Sequence, residues 1–387
     1  MAILATVGLL GLLIILLVIG FTSDLLRRNY KDRQTSAALA QAKEALIGYA
    51  ANYRDTHPGQ VFGYLPCPDM DGAGFGGEGG AEGSCGAKDV TAIGRLPWKT
   101  LGLPPLRDGD EECLWYAVSG NFKNNPQTNL MNWDTNGLIE VMAPDGVNFV
   151  AGGSGATAVP TVRAAAAIFA AGAILPGQDR SLATTNPPTT CGGNYNPANY
   201  LDTDAASGIN NATATSAAAN ALSRYIAATN SDLTPATNDL FNDKLLVVTP
   251  NDIFAGRVEK RSDFFAALTD PPPVNGMLWQ VASCVAQYGQ TNAGGANDRR
   301  LPWAAPFATS NYGIAGNYDD GTGQYSGRLP YSINNSVPAT NNTVFGSGIL
   351  LSSGVCAALA TPEFWQNWKE HVFYAVAEAY SPANTNI

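Results

Sequence analysis

Six cysteines are the side chains best equipped for covalent chemistry: Cys67, Cys85, Cys113, Cys191, Cys284 and Cys356. Their number is even and none stands in a CxxC pair. Zinc or dithiol redox chemistry wants close pairs, whereas long irregular spacings suit structural disulfides in an oxidising compartment. Many connectivities are open to six cysteines. Joining neighbours closes the smallest loops, so the expected bridges are Cys67 to Cys85, Cys113 to Cys191 and Cys284 to Cys356. Hard cations are the other chemistry worth weighing. Asp69-Met70-Asp71-Gly72 and Asp134-Thr135-Asn136-Gly137, the latter followed by Glu140, place oxygens at alternate positions before a glycine, a local geometry that calcium uses. Neither fits the EF-hand loop, and Asx turns need the same residues for backbone reasons alone. Asp69, Asp71, Asp134, Asn136 and Glu140 are therefore calcium candidates set against a favoured structural alternative.

The remaining chemical signals fail their context tests. Gly74-Phe75-Gly76-Gly77-Glu78-Gly79 satisfies GxGxxG, but it sits between two cysteines with no strand pattern before it and no helix pattern after it, so a dinucleotide reading does not hold. The two histidines, His57 and His371, have no nucleophile signature near them. No catalytic residue and no organic cofactor is expected, and the chain reads as a non-enzyme. Sequons at Asn211, Asn334 and Asn341 mark only where glycans could be accepted.

The elements that would position these residues fall into four stretches: 1–57 as a helical rod, 58–180 as a first β-rich lobe, 181–270 as an Asn/Thr-rich excursion with a strand and a helix, and 271–387 as a C-terminal lobe. In the first lobe Leu114, Tyr116 and Val118 alternate, as do Leu138 and Glu140, with Gly and Asn clusters between them that read as turns. The excursion predicts one short helix, Ala217 to Ala228. Lys244 to Val248 reads as a buried strand. Thr249-Pro250-Asn251-Asp252 supplies a cap, a proline at the first helical position and an acid in the first turn, which predicts a helix to about Leu268. Pro271-Pro272-Pro273 is the best boundary signal. Beyond it the chain echoes itself: Gly94-Arg95-Leu96-Pro97-Trp98 returns as Arg299-Arg300-Leu301-Pro302-Trp303 and as Gly327-Arg328-Leu329-Pro330-Tyr331, and Leu114-Trp115-Tyr116-Ala117-Val118 returns as Val372-Phe373-Tyr374-Ala375-Val376. Such self-similarity predicts a duplicated sheet element or two hairpins of one sheet.

The rod is built in two halves. Met1 to Gly20 is an almost unbroken apolar run, long enough to span a bilayer as one helix. From Ser23 to Asn52 there is no proline, and Leu39, Ala42, Leu46, Tyr49 and Tyr53 recur three and four apart, the stripe of an amphipathic helix. His57-Pro58 is the expected stop. A helix apolar all round and then one-sided, followed by a disulfide-capable head, resembles a type IV pilin or a type II secretion pseudopilin. The head adds Leu65-Pro66-Cys67-Pro68-Asp69, the Gly94–Trp98 segment with Leu101-Gly102-Leu103-Pro104, and the Leu114–Val118 strand, which resemble a motif run of proteobacterial pilin-like proteins.

The resemblance implies a basic leader cut after a glycine by a prepilin peptidase, leaving Met1 as the mature terminus, and a head outside the cell. It also implies an α+β fold in which the long N-terminal helix packs on an antiparallel β-sheet head carrying loop-rich insertions. Two family positions differ: Ala5 stands where most pilins have glutamate, and Thr22 where they have a kinking proline. Loss of that glutamate is typical of the large tip pseudopilin. Assembly is then expected to run through Met1, through Gly8, Gly11 and Gly20, whose small size lets helices approach, and through Asp24, Arg27 and Arg28.

Composition agrees with an exported, assembled protein. Only 14% of the 387 residues are charged, with 41 Gly and 24 Pro, and the formal net charge of −10 sits against a basic cluster just beyond the apolar run. The head is therefore acidic, which argues against nucleic acid. Three function classes follow: a self-polymerising filament subunit held in the inner membrane before assembly, a minor tip pseudopilin, and a membrane-anchored periplasmic protein.

Overall fold

The computed structural model describes residues 2–58, 60–87, 89–123, 130–143, 148–153, 163–213, 221–227, 241–270, 276–291, 300–307, 318–330, 333, 367–368 and 370–384, with side chains from Leu25 onward in the first helix and as far as Gly289 in the last. Met1 to Asp24 as side chains, Pro271 to Pro273, Cys356 and the sequons at Asn334 and Asn341 lie outside the described residues. The chain divides into two units: Met1–Thr56, Tyr64–Pro126 and Gly137–Ile253 form one, and His57–Gly63, Gln127–Asn136 and Phe254–Ile387 the other.

The first unit is a mixed α+β body. Helix α1 (Ala2–Ala51) is followed by a single turn, α2 (Tyr53–Thr56). Strands β1 (Ala92–Arg95), β2 (Trp115–Val118), β5 (Ala166–Ala170) and β7 (Lys244–Val248) form an antiparallel sheet in the order β1-β2-β5-β7. A second sheet holds β4 (Phe149–Ala151), β3 (Ile139–Met142) and β6 (Ser223–Ile226), with β3 antiparallel to β4 but parallel to β6. From Thr35 onward α1 buries Ala38, Leu39, Ala42, Leu46, Ile47 and Ala50, and it packs on β5 and β7. Its register on the head is fixed by polar bonds. Gln34 Nε2 donates to Asp108 O at 3.0 Å, Gly109 N donates to Thr35 Oγ1 at 2.9 Å, and Lys43 pairs with Asp252 at 2.9 Å. Gly109 is required there, since a Cβ would fall 2.5 Å from the Lys31 backbone.

The four-stranded sheet is covered on both sides, so β2 and β5 are buried at every position rather than on alternate ones. Trp115, Ala117, Ala167 and Phe169 face a core shared with Ile139, Val141, Tyr200, Leu201 and Tyr225. Aromatic pairs Trp115–Tyr200 (5.0 Å) and Phe169–Tyr225 (5.1 Å) fill its centre. β7 corrects the reading of a buried strand: it lies at the sheet edge, and only Val248 is fully buried.

Two helix expectations are also corrected. The stretch Ala217 to Ala228 carries strand β6 at Ser223–Ile226, residues 217–220 lying outside the described set. Alanine-rich helix propensity loses here to tertiary bonds: Asn211 accepts from Ile226 N at 3.0 Å and donates to Ile226 O at 3.1 Å, while β3 supplies a full parallel register. The expected helix from Thr249 to Leu268 is three pieces, α3 (Pro250–Phe254), a 3₁₀ turn (Val258–Lys260) and α4 (Ser262–Thr269). The capping box forms as the residues dictate, Asp252 N donating to Thr249 Oγ1 and Thr249 N to Asp252 Oδ2. Gly256, at φ +84°, then takes a left-handed conformation that stops the helix.

In the second unit Phe264 meets both Phe62 and Phe254, and Arg261 lies over the Phe62 ring. α4 packs on α5 (Met277–Thr291), whose buried residues Met277, Val281, Cys284 and Tyr288 keep helical spacing. Strands β8 (Ser326–Arg328) and β9 (Phe373–Ala375) pair antiparallel. The sequence echo is a structural one. Gly94 faces Tyr116 and Arg95 faces Trp115 in β1–β2, just as Gly327 faces Tyr374 and Arg328 faces Phe373 in β8–β9. Asp69 bridges Arg95 as Ala305 bridges Arg328. The tyrosine hydroxyls repeat too, Tyr116 donating to Pro66 O at 3.1 Å and Tyr374 to Pro302 O at 2.9 Å.

Candidate assembly surface

Two disulfides are formed among the described residues, Cys67–Cys85 and Cys113–Cys191. Cys284 is also disulfide-bonded, and Cys356 lies outside the described residues. The first bridge closes a loop that is rich in glycine, Asp69 to Glu82. Asp69 organises it, accepting from Gly72 N at 2.9 Å and from Gly79 N at 2.7 Å. Burial pushes the Asp69 carboxyl up, and these two N–H groups with nearby Arg95 pull it back. Glu78 ties the far side of the loop down, accepting from Cys191 N at 2.7 Å and Thr190 N at 2.8 Å, so its carboxyl is held below its usual range although burial opposes this. Lys99 Nζ donates to Gly76 O at 2.7 Å. A Cβ on Gly74 or Gly80 would meet loop backbone at 2.5 or 2.1 Å, so the collar admits only glycine. At its tip Phe75 is 92% exposed.

Beneath the loop Arg95 is buried among the rings of Trp115, Tyr195 and Tyr200, 5.0–5.5 Å from their centroids. It donates to Gly192 O, Asn194 O and Tyr200 Oη, which fastens the 191–200 segment to the sheet. This is a structural clamp: its acceptors are backbone carbonyls and a phenol.

The calcium candidates are all engaged with protein groups. Asp69 is used as above, and Asp71 Oδ1 accepts from Ala73 N at 2.8 Å, an Asx turn. Asp134 Oδ2 lies 2.6 Å from His371 Nε2, and the Trp133 ring stacks edge-on against the same imidazole. Asn136 has partners of its own. Glu140, which shares a strand face with buried Leu138, is fully buried between Arg224 at 2.9 Å and Arg163 at 3.5 Å. Among the described residues no three His, Cys, Asp or Glu side chains are grouped to hold a metal ion. His57 sits in the bend after α2 and also has partners. Asn211, the described sequon, is fully buried.

Of the assembly residues, Met1, Gly8, Gly11, Gly20 and Asp24 lie outside the described side chains, and Arg27 and Arg28 are exposed. They belong to a longer uncovered stretch of α1 that includes Leu25, Leu26, Tyr30 and Arg33, Leu26 being 69% and Tyr30 70% exposed. Its neighbours Lys31 and Asp32 are paired to the head through Asp110 and Lys244. Among the described residues no helix is long and apolar enough to cross a membrane, and the side chains of the apolar run Met1–Gly20 lie outside the described set.

The chain matches no protein-family model, no curated protein and no solved structure.

The sequence reading missed two features of the surface and core. Phe75 lay inside a motif weighed only for nucleotide binding, although a lone aromatic flanked by glycines between cysteines was a visible signal. Asp202 and Asp243 carried no sequence signal, because they meet only through the fold. Asp202 N donates to Asp243 Oδ2 at 2.8 Å and Asn242 N to Asp202 Oδ2 at 2.9 Å. Burial, then the Asp202 charge, pushes the Asp243 carboxyl well above the usual range.

Proposed function

We propose that the protein is a structural subunit of a type IV pilus-like extracellular filament, polymerising through its N-terminal helix and drawn from an inner-membrane pool processed by a prepilin peptidase. The observation that supports this most is the division of labour along α1. From Thr35 to Ala51 the helix serves as the spine of an α+β head, while Leu25 to Tyr30 stays uncovered and leads back into the apolar run Met1–Gly20. A fully apolar helix needs lipid or other helices around it, and Gly8, Gly11 and Gly20 favour close helix neighbours. The disulfides suit a head that matures outside the cytoplasm, and its Gly-, Asn- and Thr-rich surface with few charges suits lateral packing.

A second reading, a minor tip pseudopilin, is favoured by Ala5, which cannot pair with a neighbour's amino terminus. Electron microscopy of sheared cell-surface material, with mass identification of its main band, separates the two. Filaments composed chiefly of this chain are the expected result. Filaments of another subunit with this chain as a trace component would favour the tip reading, and no filaments would remove both.

A further inference from the structure

The glycine collar between Cys67 and Cys85 spends much structure on displaying one phenylalanine. A fully exposed aromatic ring gains nothing for a free monomer, whereas a rigid aromatic on a preorganised loop is the usual form of an interface anchor. The loop is also acidic. Asp71 and Glu82 face one another without a salt-bridge partner among the described residues, and burial followed by the Asp71 charge pushes the Glu82 carboxyl up. Such a like-charged pair is poised for an incoming cation. The uncovered stretch of α1 offers the complement: Leu25, Leu26 and Tyr30 are exposed apolar surface, and Arg27, Arg28 and Arg33 are exposed arginines that no carboxylate of the described residues neutralises. Tyr and Arg are the residues enriched at interface anchors.

We infer that the Phe75 loop of one copy docks on the Leu25–Arg33 stretch of a second copy, Phe75 seating on Leu26 and Tyr30 while Asp71 and Glu82 meet Arg27 and Arg28. The surfaces are different patches of the same chain, so the contact is heterologous and repeats head to tail, as an open helical polymer requires. The inference rests on the homopolymer reading and names the pair of surfaces that would hold its heads in register.

The test uses full-length protein in membranes and in sheared surface material, with two differently tagged copies, one carrying Phe75→Cys and the other Leu26→Cys, joined by a short bismaleimide. A mixed-tag cross-link is expected at roughly tenfold the yield of a control pair of Leu182→Cys, also exposed, with Leu26→Cys, the margin a central anchor provides. Asp71→Lys with Glu82→Lys on the Phe75→Cys copy should abolish that excess, and Arg27→Glu with Arg28→Glu on the other copy should restore it. Filaments without the cross-link overturn the docking and leave the homopolymer reading intact. The cross-link without filaments keeps the contact and defeats the filament. A yield equal to the control, or one indifferent to the charge swaps, overturns the docking. So does Leu26→Cys shielded from water-soluble maleimide in protein that shows no cross-link, because lipid then covers that stretch.

Discussion

The arm made of β1, β2 and the Leu65–Asp69 turn and the arm made of β8, β9 and the Leu301–Ala305 turn share one hydrogen-bond register. Trp115 in the first is nevertheless fully buried, while Phe373, its counterpart, is 65% exposed. The first arm is continued on the far side of β2 by β5, clamped from above by Arg95, and stapled by Cys67–Cys85. In the second arm Trp303 stands where Cys67 would, and Phe373 meets Phe307, also exposed, at 5.9 Å. Backbone plan is thus set by a short motif, whereas burial is set by whatever the rest of the chain lays over it.

Large-to-small substitution separates the arms most sharply. Trp115→Ala should cost about 3–5 kcal/mol in denaturant unfolding, and Phe373→Ala within about 0.5 kcal/mol, as for an exposed site. Equal losses would mean that the arms are buried alike. A loss near 3 kcal/mol is also expected when Cys67 and Cys85 are both replaced by serine, from the loop they close, and only the first arm has such a staple to lose. Proteolysis within Asp69–Glu82 should then become fast, and an unchanged cleavage rate would show that the glycine collar holds without the bridge.

A third pair sharpens what the arms have in common. Gly94→Ala places a Cβ 2.6 Å from Asp69 O, and Gly327→Ala places one 1.9 Å from Ala305 O. Overpacking against backbone costs about 1–3 kcal/mol, so both variants should be destabilised, and tolerance of either would refute the shared register. Tyr116→Phe and Tyr374→Phe should each lose about 1 kcal/mol, the worth of one phenol-to-carbonyl bond.

The smallest effect is a rise of stability with pH that Lys123, beside the first arm, produces. Lys123 Nζ donates to Cys85 O at 2.9 Å from a buried site, and burial lowers its pKa from 10.5 to about 8. The native state then releases its proton before the unfolded chain does, so stability should rise between about pH 8 and pH 10. Beyond pH 10 the buried Tyr53 and Tyr116 phenols, both pushed up chiefly by burial, reverse the trend. Lys123→Met should flatten the rise in an alkaline unfolding series, and an unchanged slope would assign it elsewhere.

Local residue patterns determined a good deal by themselves. Periodicity placed the buried stripe Leu39, Ala42 and Leu46 on α1, because a helix that packs on one side must repeat its apolar residues at three and four. The Thr249–Asp252 box fixed a helix start, because its bonds are made within four residues. Neighbour spacing gave Cys67–Cys85 and Cys113–Cys191, since short loops are the easiest to close. Helix α5 is equally legible in the helical spacing of Met277, Val281, Cys284 and Tyr288. What only the tertiary structure decided involved partners far apart in the chain. Ser223–Ile226 became a strand because β3 and Asn211 were there to receive it. Glu140 turned inward because Arg163 and Arg224 could neutralise it. Asp202 and Asp243 met because the loop after the Pro197–Asn199 turn lies against the start of β7. Phe75 became a display rather than part of a nucleotide loop because Lys99 holds Gly76 and Glu78 is tied across the fold to the Thr190–Cys191 backbone. In each case the deciding energy is a long-range hydrogen bond or charge pair, and one-dimensional spacing carries no record of which residues will share a face.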